Sequence, residues 1–287
     1  MTTEMHTILE IIKKTTDFLA SKGIESPRLN AELLVGRALE RKRMQLYLEF
    51  ERPLTEAELE RIRPLVRRRA QHEPLQYVVG EEEFHGLMLK VDRRVLIPRP
   101  ETELLVEMLL AAVRERGTPA LRVLELGTGS GAIACALARA WPDATVVATD
   151  VSTAALEVAS VNAAANAVAD RMQFVVSDWW AAVPAGPYDV IVSNPPYLTP
   201  EETAGAAREV RDYEPHLALT SGRDGMDALR VIAAGVSAYL RPGGVLALET
   251  GIEQHAELTR LLTAAGFAQV DSKRDLTGRD RFILAVL

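Results

Sequence analysis

Asn194-Pro195-Pro196-Tyr197 is the stretch whose residue types most directly specify chemistry. Two consecutive prolines fix φ and remove two N–H donors, so the turn presents acceptors. The side-chain oxygen of Asn194 and the carbonyl of Pro195 then form a rigid acceptor pair. Such a pair suits a planar NH₂ group with its two N–H bonds. An aspartate at position 194 would keep an acceptor there; alanine or leucine would not. Tyr197 adds an aromatic face for a flat target group. Taken alone, the stretch also reads as a proline-rich loop that merely ends a strand.

A second set of residues has the composition of a nucleoside site. Gly127-Thr128-Gly129-Ser130-Gly131 follows the strand-like Arg122 to Leu126 and precedes a helix-like Ala-rich run. Glycines let the backbone turn tightly and approach a ligand with no Cβ in the way, and the helix start behind them offers unpaired N–H groups. The spacing is G-x-G-x-G rather than the G-x-G-x-x-G of dinucleotide enzymes. Asp150 ends the next strand, where its carboxylate can accept both hydroxyls of a ribose. The competing reading is a carboxylate at the helix start beside Ser152 and Thr153. Asp178 and Trp179 follow the third strand and could meet an adenine by hydrogen bonding and stacking; Trp180 reads nearly as well as a packing residue.

The elements that position these residues come from periodicity. From Leu121 onward, strand, turn and helix alternate. Strands are expected at Arg122–Leu126, Thr145–Ala148, Gln173–Val176, Tyr188–Val192 and Gly244–Glu249, with Val270–Asp275 and Arg281–Val286 closing the chain. That alternation predicts an α/β fold with a doubly wound, mostly parallel sheet. Ahead of it, residues 1–74 read as a small helical bundle, with helices at Thr7–Lys22, Leu29–Glu40 and Thr55–Gln71. Thr55 with Glu58 marks a capping box, and Pro64 is expected to bend the third helix. Residues 75–103 read as a hairpin, Tyr77-Val78-Val79 pairing with Leu87–Val91, followed by a stiff linker at Leu96–Glu103. A helix is expected at Thr102–Arg116, and residues 104–287 are expected to form the sheet-bearing domain.

Composition narrows the class. The chain has 287 residues, 48% hydrophobic and 25% charged, as in a globular protein. No apolar run approaches the roughly 20 residues needed to span a bilayer. Glu4 and Glu10 interrupt the start, which lacks the order of a secretory signal. The single cysteine, Cys135, excludes an internal disulfide framework, and five scattered histidines give no metal motif. A cytoplasmic protein without a metal is expected. Net charge is −7, but its distribution is uneven: residues 1–74 carry 14 basic and 12 acidic side chains, the remainder 19 and 28. A remainder at −9 argues against bulk attraction to nucleic acid.

The glycine turn, the acids ending the second and third strands and the expected final hairpin resemble class I methyltransferases, which use S-adenosylmethionine. N-P-P-Y resembles the subset that methylates exocyclic or amide NH₂ groups. Leu96-Ile97-Pro98-Arg99-Pro100-Glu101-Thr102-Glu103, Glu214-Pro215-His216-Leu217-Ala218-Leu219 and Asp275-Leu276-Thr277-Gly278-Arg279-Asp280-Arg281 extend the resemblance to the PrmC/HemK family over essentially the whole chain. That family methylates the glutamine amide in the Gly-Gly-Gln motif of class-1 peptide chain release factors. The resemblance implies cofactor contacts at Gly127, Thr128, Gly129, Ser130, Gly131, Asp150, Asp178, Trp179 and Asn194. It implies catalytic roles for Asn194, Pro195 and Tyr197, and target binding through Asn194, Pro195, Pro196 and Tyr197. Residues 1–74 would be the substrate-recognition domain, through Arg37, Arg41, Lys42, Arg43, Arg61, Arg63, Arg67, Arg68 and Arg69, unless these form an ordinary solvated face. Glu249 and Gly251 read as structural. The rivals are a nucleic-acid amino methyltransferase and a nucleotide-dependent oxidoreductase.

Overall fold

The computed structural model describes residues 6–114 and 120–287; the expected helix end at Arg116 lies outside them. Two compact units result. One is helical, runs to Glu81 and takes in Ala207–Tyr213; the other comprises Glu82–Ala206 and Glu214–Leu287.

The helical unit contains α1 (Ile8–Ser21), α2 (Pro27–Leu39), α3 (Arg43–Leu48), α4 (Glu56–Ala70) and α5 (Leu75–Val79). Thr7 and Thr55 each open a helix with a reciprocal capping box, to Glu10 and Glu58. Ile8 and Ile12 of α1 pack against Ala31, Val35 and Ile62, forming the core between α1, α2 and α4. Pro64 stays inside α4, which continues past it. The expected strand at Tyr77-Val78-Val79 is instead the helix α5. Val78 is buried with Leu19, Ile24 and Leu34, and Gly80 closes the turn with φ +89°. That burial against helices outweighs the β preference of a local Tyr-Val-Val run.

Much of the arginine-rich face is internally neutralised. Buried Glu32 accepts from Arg28, Arg43 and Tyr47. Arg68 pairs with Glu73, Arg63 with Glu56 and Glu60, and Arg41 with Glu49. Arg69 is buried and donates to Asn30 Oδ1, the Glu73 carbonyl and Glu209.

The chain then forms the hairpin β1 (Glu81–Phe84) and β2 (Leu87–Lys90), with β2 where a strand is expected and β1 in place of the expected Tyr77-Val78-Val79 strand. Next come α6 (Pro100–Arg114), β3 (Arg122–Leu126), α7 (Ala132–Ala140), β4 (Thr145–Asp150), α8 (Thr153–Ala165), β5 (Met172–Val176) and β6 (Tyr188–Ser193). After α9 (Pro200–Gly205), α10 (Arg208–Tyr213) belongs to the helical unit, where the Tyr213 hydroxyl donates to the Gln71 carbonyl. The chain ends with α11 (Asp227–Tyr239), β7 (Leu240–Glu249), α12 (His255–Ala264), β8 (Gln269–Arg274) and β9 (Asp280–Val286). Pro100 and Glu101, expected as linker ahead of a helix from Thr102, join the first turn of α6, where proline suits a position whose N–H would be unpaired.

The seven-stranded sheet has the order β5-β4-β3-β6-β7-β9-β8, parallel except for the pairs involving β9. The winding reverses between β3 and β6, so a crevice opens at their carboxyl ends. Alternate residues of β3 enter opposite cores: Val123 packs with Leu105 and Leu109 of α6, Leu124 with Leu229 and Ile232 of α11. Each such fully buried side chain contributes ~1.5–3 kcal/mol, which makes the central strands a rigid support for the loops at their ends.

Candidate active site

A cavity of about 530 Å³ lies over the carboxyl ends of β3, β4, β5 and β6. Gly127, Thr128, Gly129 and Ser130 line it, as do Asp150, Asp178, Trp179, Asn194 and Pro196. The structure thus gathers residues scattered over some 70 positions of sequence. Pro195 is buried; neither it nor Tyr197 is among the lining residues, and Gly131 stands behind the turn.

The glycine turn owes its shape to conformation and packing. Gly127 and Gly129 adopt φ +71° and +52°, and a Cβ on either would meet no atom within 4 Å. Backbone freedom is therefore what requires glycine there, and the space above them is open to a ligand. At Gly131 a Cβ would come within 3.0 Å of the Ala159 Cβ, so the third glycine serves close packing of α7 on α8. Thr128 N–H donates to the Thr149 carbonyl at 2.8 Å and ties the turn to β4.

Asp150 takes the helix-start position that the sequence allows and also lines the cavity. Its Oδ2 accepts from Gly129 N and its Oδ1 from Ser152 N, each at 2.9 Å. Burial raises its pKa above the usual range, while these N–H groups draw it back. One step deeper, Glu125 is buried and accepts from Thr128 Oγ1 and from Ala134 N at 3.0 Å. Burial, with a smaller push from Asp150, lifts its carboxyl to about 8. Glu125 supports the turn, a role not read from sequence, although a carboxylate ending an apolar strand is a signal of it.

Past β5, the two tryptophans separate. Trp180 stacks on Tyr239 with ring centroids 4.9 Å apart and donates Nε1–H to the Val231 carbonyl. Trp179 lines the cavity, with a left-handed backbone (φ +48°) and its carbonyl held by Ser177 Oγ at 2.7 Å. Such a conformation is costly for a residue with a Cβ and is found where surrounding structure over-determines it.

At the end of β6, Asn194 Nδ2 donates to Thr102 Oγ1 at 3.0 Å. The Thr102 hydroxyl donates in turn to Glu249 Oε2 at 2.7 Å. Tyr197 donates its hydroxyl to Glu249 Oε1 at 3.0 Å, and the Arg281 guanidinium lies 5.5 Å from its ring centroid. Burial pushes both the Tyr197 phenol and the Glu249 carboxyl upward. Gln254 Nε2 holds the Tyr197 carbonyl at 2.8 Å. Buried Glu214 accepts from Ile97 N at 3.2 Å and from the Arg99 guanidinium, joining two conspicuous sequence runs into one wall of the cavity. Thr102 and Glu214 stand in runs already noted in the sequence and Glu249 reads there as structural, but their partners are remote in sequence and no motif shows them.

Cys135 is buried within α7, and burial pushes its thiol up to about 12, as suits packing rather than chemistry. Among the described residues, no cluster of His, Cys, Asp and Glu could hold a metal ion, and no helix is long and apolar enough to cross a membrane.

Residues 10–80 match the PrmC N-terminal domain and residues 100–211 the methyltransferase small domain. A release factor glutamine methyltransferase of Chlorobaculum tepidum is 45% identical over 281 residues, covering 96% of this chain and 95% of that protein. One from Cereibacter sphaeroides is 45% identical over 269 residues, covering 94% of each. Among solved structures, a methyltransferase from Pyrococcus furiosus aligns with TM-score 0.52 at 22% identity, over 70% of this chain and 88% of that one. The hMettl16 catalytic domain, solved with an RNA hairpin, aligns with TM-score 0.55 at 20% identity, over 77% and 81%. At that identity the structural likeness speaks for the fold, and the near full-length sequence relatives decide the family. With near full-length relatives of 45% identity and both matched domains, the chain belongs to the release factor glutamine methyltransferase family.

Proposed function

We propose that the protein transfers a methyl group from S-adenosylmethionine to the side-chain amide nitrogen of glutamine in the Gly-Gly-Gln motif of class-1 peptide chain release factors. The observation that carries the reading is that Asn194 shares one cavity with the glycine turn, Asp150 and Trp179. The residues fit the cofactor: Gly127 and Gly129 leave room for a ligand, and Asp150 ends β4 with a carboxylate in reach of it. When bound, S-adenosylmethionine supplies a methyl group on an electrophilic sulfonium.

The chain's own residues then have a positioning task. An amide nitrogen is a poor nucleophile because its lone pair is shared with the carbonyl, as the ~18–20 kcal/mol rotation barrier of a peptide bond shows. Asn194 Oδ1 and the Pro195 carbonyl accept the two N–H bonds of the target, favour a pyramidal nitrogen and aim its lone pair into the cavity. N–H bonds on a nitrogen being alkylated become more acidic, so these contacts strengthen in the transition state. One proton leaves to solvent, and the motif contains no Asp or Glu base. This reading makes the protein a cytoplasmic enzyme of translation termination.

Mass spectrometry of a release factor incubated with enzyme and labelled cofactor is expected to show one added methyl group on the glutamine. The signal should vanish with the Gln→Ala release factor, and adenine-containing DNA should remain unmodified. Methyl transfer to DNA alone would return the assignment to the nucleic-acid rival.

The helical unit is proposed to hold the body of the release factor while the glutamine loop reaches the cavity. Removing residues 1–74 is expected to abolish methylation of the whole factor yet leave calorimetric cofactor affinity largely intact. Parallel loss of both would assign the unit to folding instead, through the contacts that Arg69 and Gln71 make with Glu209 and Tyr213.

A further inference from the structure

Asn194 has two chemically opposite ends, and only one can serve the target. A carboxamide oxygen accepts the N–H bonds of a glutamine; a carboxamide NH₂ would repel them. Nothing in the Asn-Pro-Pro-Tyr turn itself decides which end faces outward. The decision is traceable to a buried side chain on another strand.

We propose that Glu249, acting through Thr102, is a positioning residue that sets which end of the Asn194 carboxamide meets the target nitrogen. The inference rests on the glutamine-methylation reading above and deepens it. Glu249 ends β7, is 1% exposed and does not line the cavity. Both of its oxygens accept from hydroxyls, Thr102 Oγ1 at 2.7 Å and the Tyr197 phenol at 3.0 Å. Thr102 has one hydroxyl proton, and Glu249 takes it. Toward Asn194, Thr102 can therefore present only a lone pair. Asn194 answers with Nδ2 at 3.0 Å, which leaves Oδ1 free for the target.

The polarity of the chain is one-way. With both Glu249 oxygens already accepting from hydroxyls, each hydrogen bond downstream has one permitted direction. The same carboxylate anchors Tyr197, three residues past Asn194, so both ends of the motif are registered to one buried group. α6 supplies Thr102, β7 supplies Glu249, and the loop after β6 supplies the turn. A salt bridge to Glu249 would quench its pull on the hydroxyls; the nearby cation, Arg281, instead sits over the Tyr197 ring and donates to the Thr250 carbonyl.

Thr102→Val removes the hydroxyl at nearly constant volume, and Thr102→Ser keeps it. Turnover of release-factor methylation by the valine variant is expected to fall about tenfold or more. Its KM for the factor and calorimetric affinity for S-adenosylmethionine should stay near wild type, and the serine variant should recover most of the turnover. Glu249→Gln presents an NH₂ that can reverse the relay; it should lower turnover alone and cost little more when added to Thr102→Val. Selective ¹⁵N-asparagine labelling supplies a readout independent of substrate. The Asn194 side-chain NH₂ should exchange slowly in wild type and the serine variant, and fast in the valine variant. Undiminished turnover in Thr102→Val, a serine variant as impaired as valine, additive losses, or a fast-exchanging Asn194 in wild type would each overturn the relay. Wild-type enzyme that leaves the release factor unmodified would overturn the glutamine reading instead, with the exchange data still judging the relay.

Discussion

Asn194→Ala is expected to lower turnover of release-factor methylation by ~10²–10³-fold, with cofactor affinity little changed, because one transition-state acceptor is lost. The side chain touches the cavity and is tethered through Nδ2 to Thr102, so its removal leaves the sheet beneath intact. Asn194→Leu, which fills the space with no acceptor, should match alanine. The aspartate variant is where structure changes the expectation. Sequence alone ranks Asp above Ala, because an acceptor remains. In the structure the second carboxylate oxygen would face Thr102 Oγ1, whose proton Glu249 already holds. Two acceptors would then oppose each other, and Asn194→Asp is expected to fall to the alanine level. Single-turnover rates separate these variants; an alanine variant with wild-type turnover would remove Asn194 from the chemistry.

Asp150→Ala should weaken S-adenosylmethionine binding by ~10²-fold or more, since charge-assisted hydrogen bonds to two ribose hydroxyls are worth ~1.5–3 kcal/mol each. The carboxylate also holds Gly129 N and Ser152 N, so the glycine turn loosens with it. A pH dependence follows from the same group. Burial raises the Asp150 pKa, so on acidification it protonates before an ordinary aspartate near ~3.9 would. Ribose binding needs the ionised form; affinity should therefore be full at neutral pH and decline as pH falls, beginning above the usual aspartate range. Asp150→Asn should bind more weakly throughout and lose that part of the pH dependence. Calorimetry across pH on wild type and the asparagine variant checks both the size and the sign. Unchanged affinity in a folded alanine variant would refute the ribose role.

Much of this molecule is legible in its sequence, for reasons that are local. The glycine turn needs left-handed backbone at Gly127 and Gly129, which few other residues tolerate, so it announces itself in composition. Apolar strands followed by amphipathic helices specify the doubly wound sheet, and that topology alone sends Asp150, Asp178 and Asn194 to the same edge. Capping boxes at Thr7 and Thr55 are read within four residues. Tertiary structure decided the rest. Tyr77-Val78-Val79 has strand-like residues but became helix because its burial is against helices. Of two adjacent tryptophans, Tyr239 captured Trp180 and left Trp179 to the cavity. Glu249, which reads as an ordinary strand-end acid, meets Thr102 across 147 positions, and Thr102 meets Asn194 across 92. A periodic pattern records only which face of an element is apolar; it does not say which distant polar atom will be buried opposite. The direction of the hydrogen bonds at Asn194 therefore belongs to the assembled fold, where a buried acceptor must take the nearest proton.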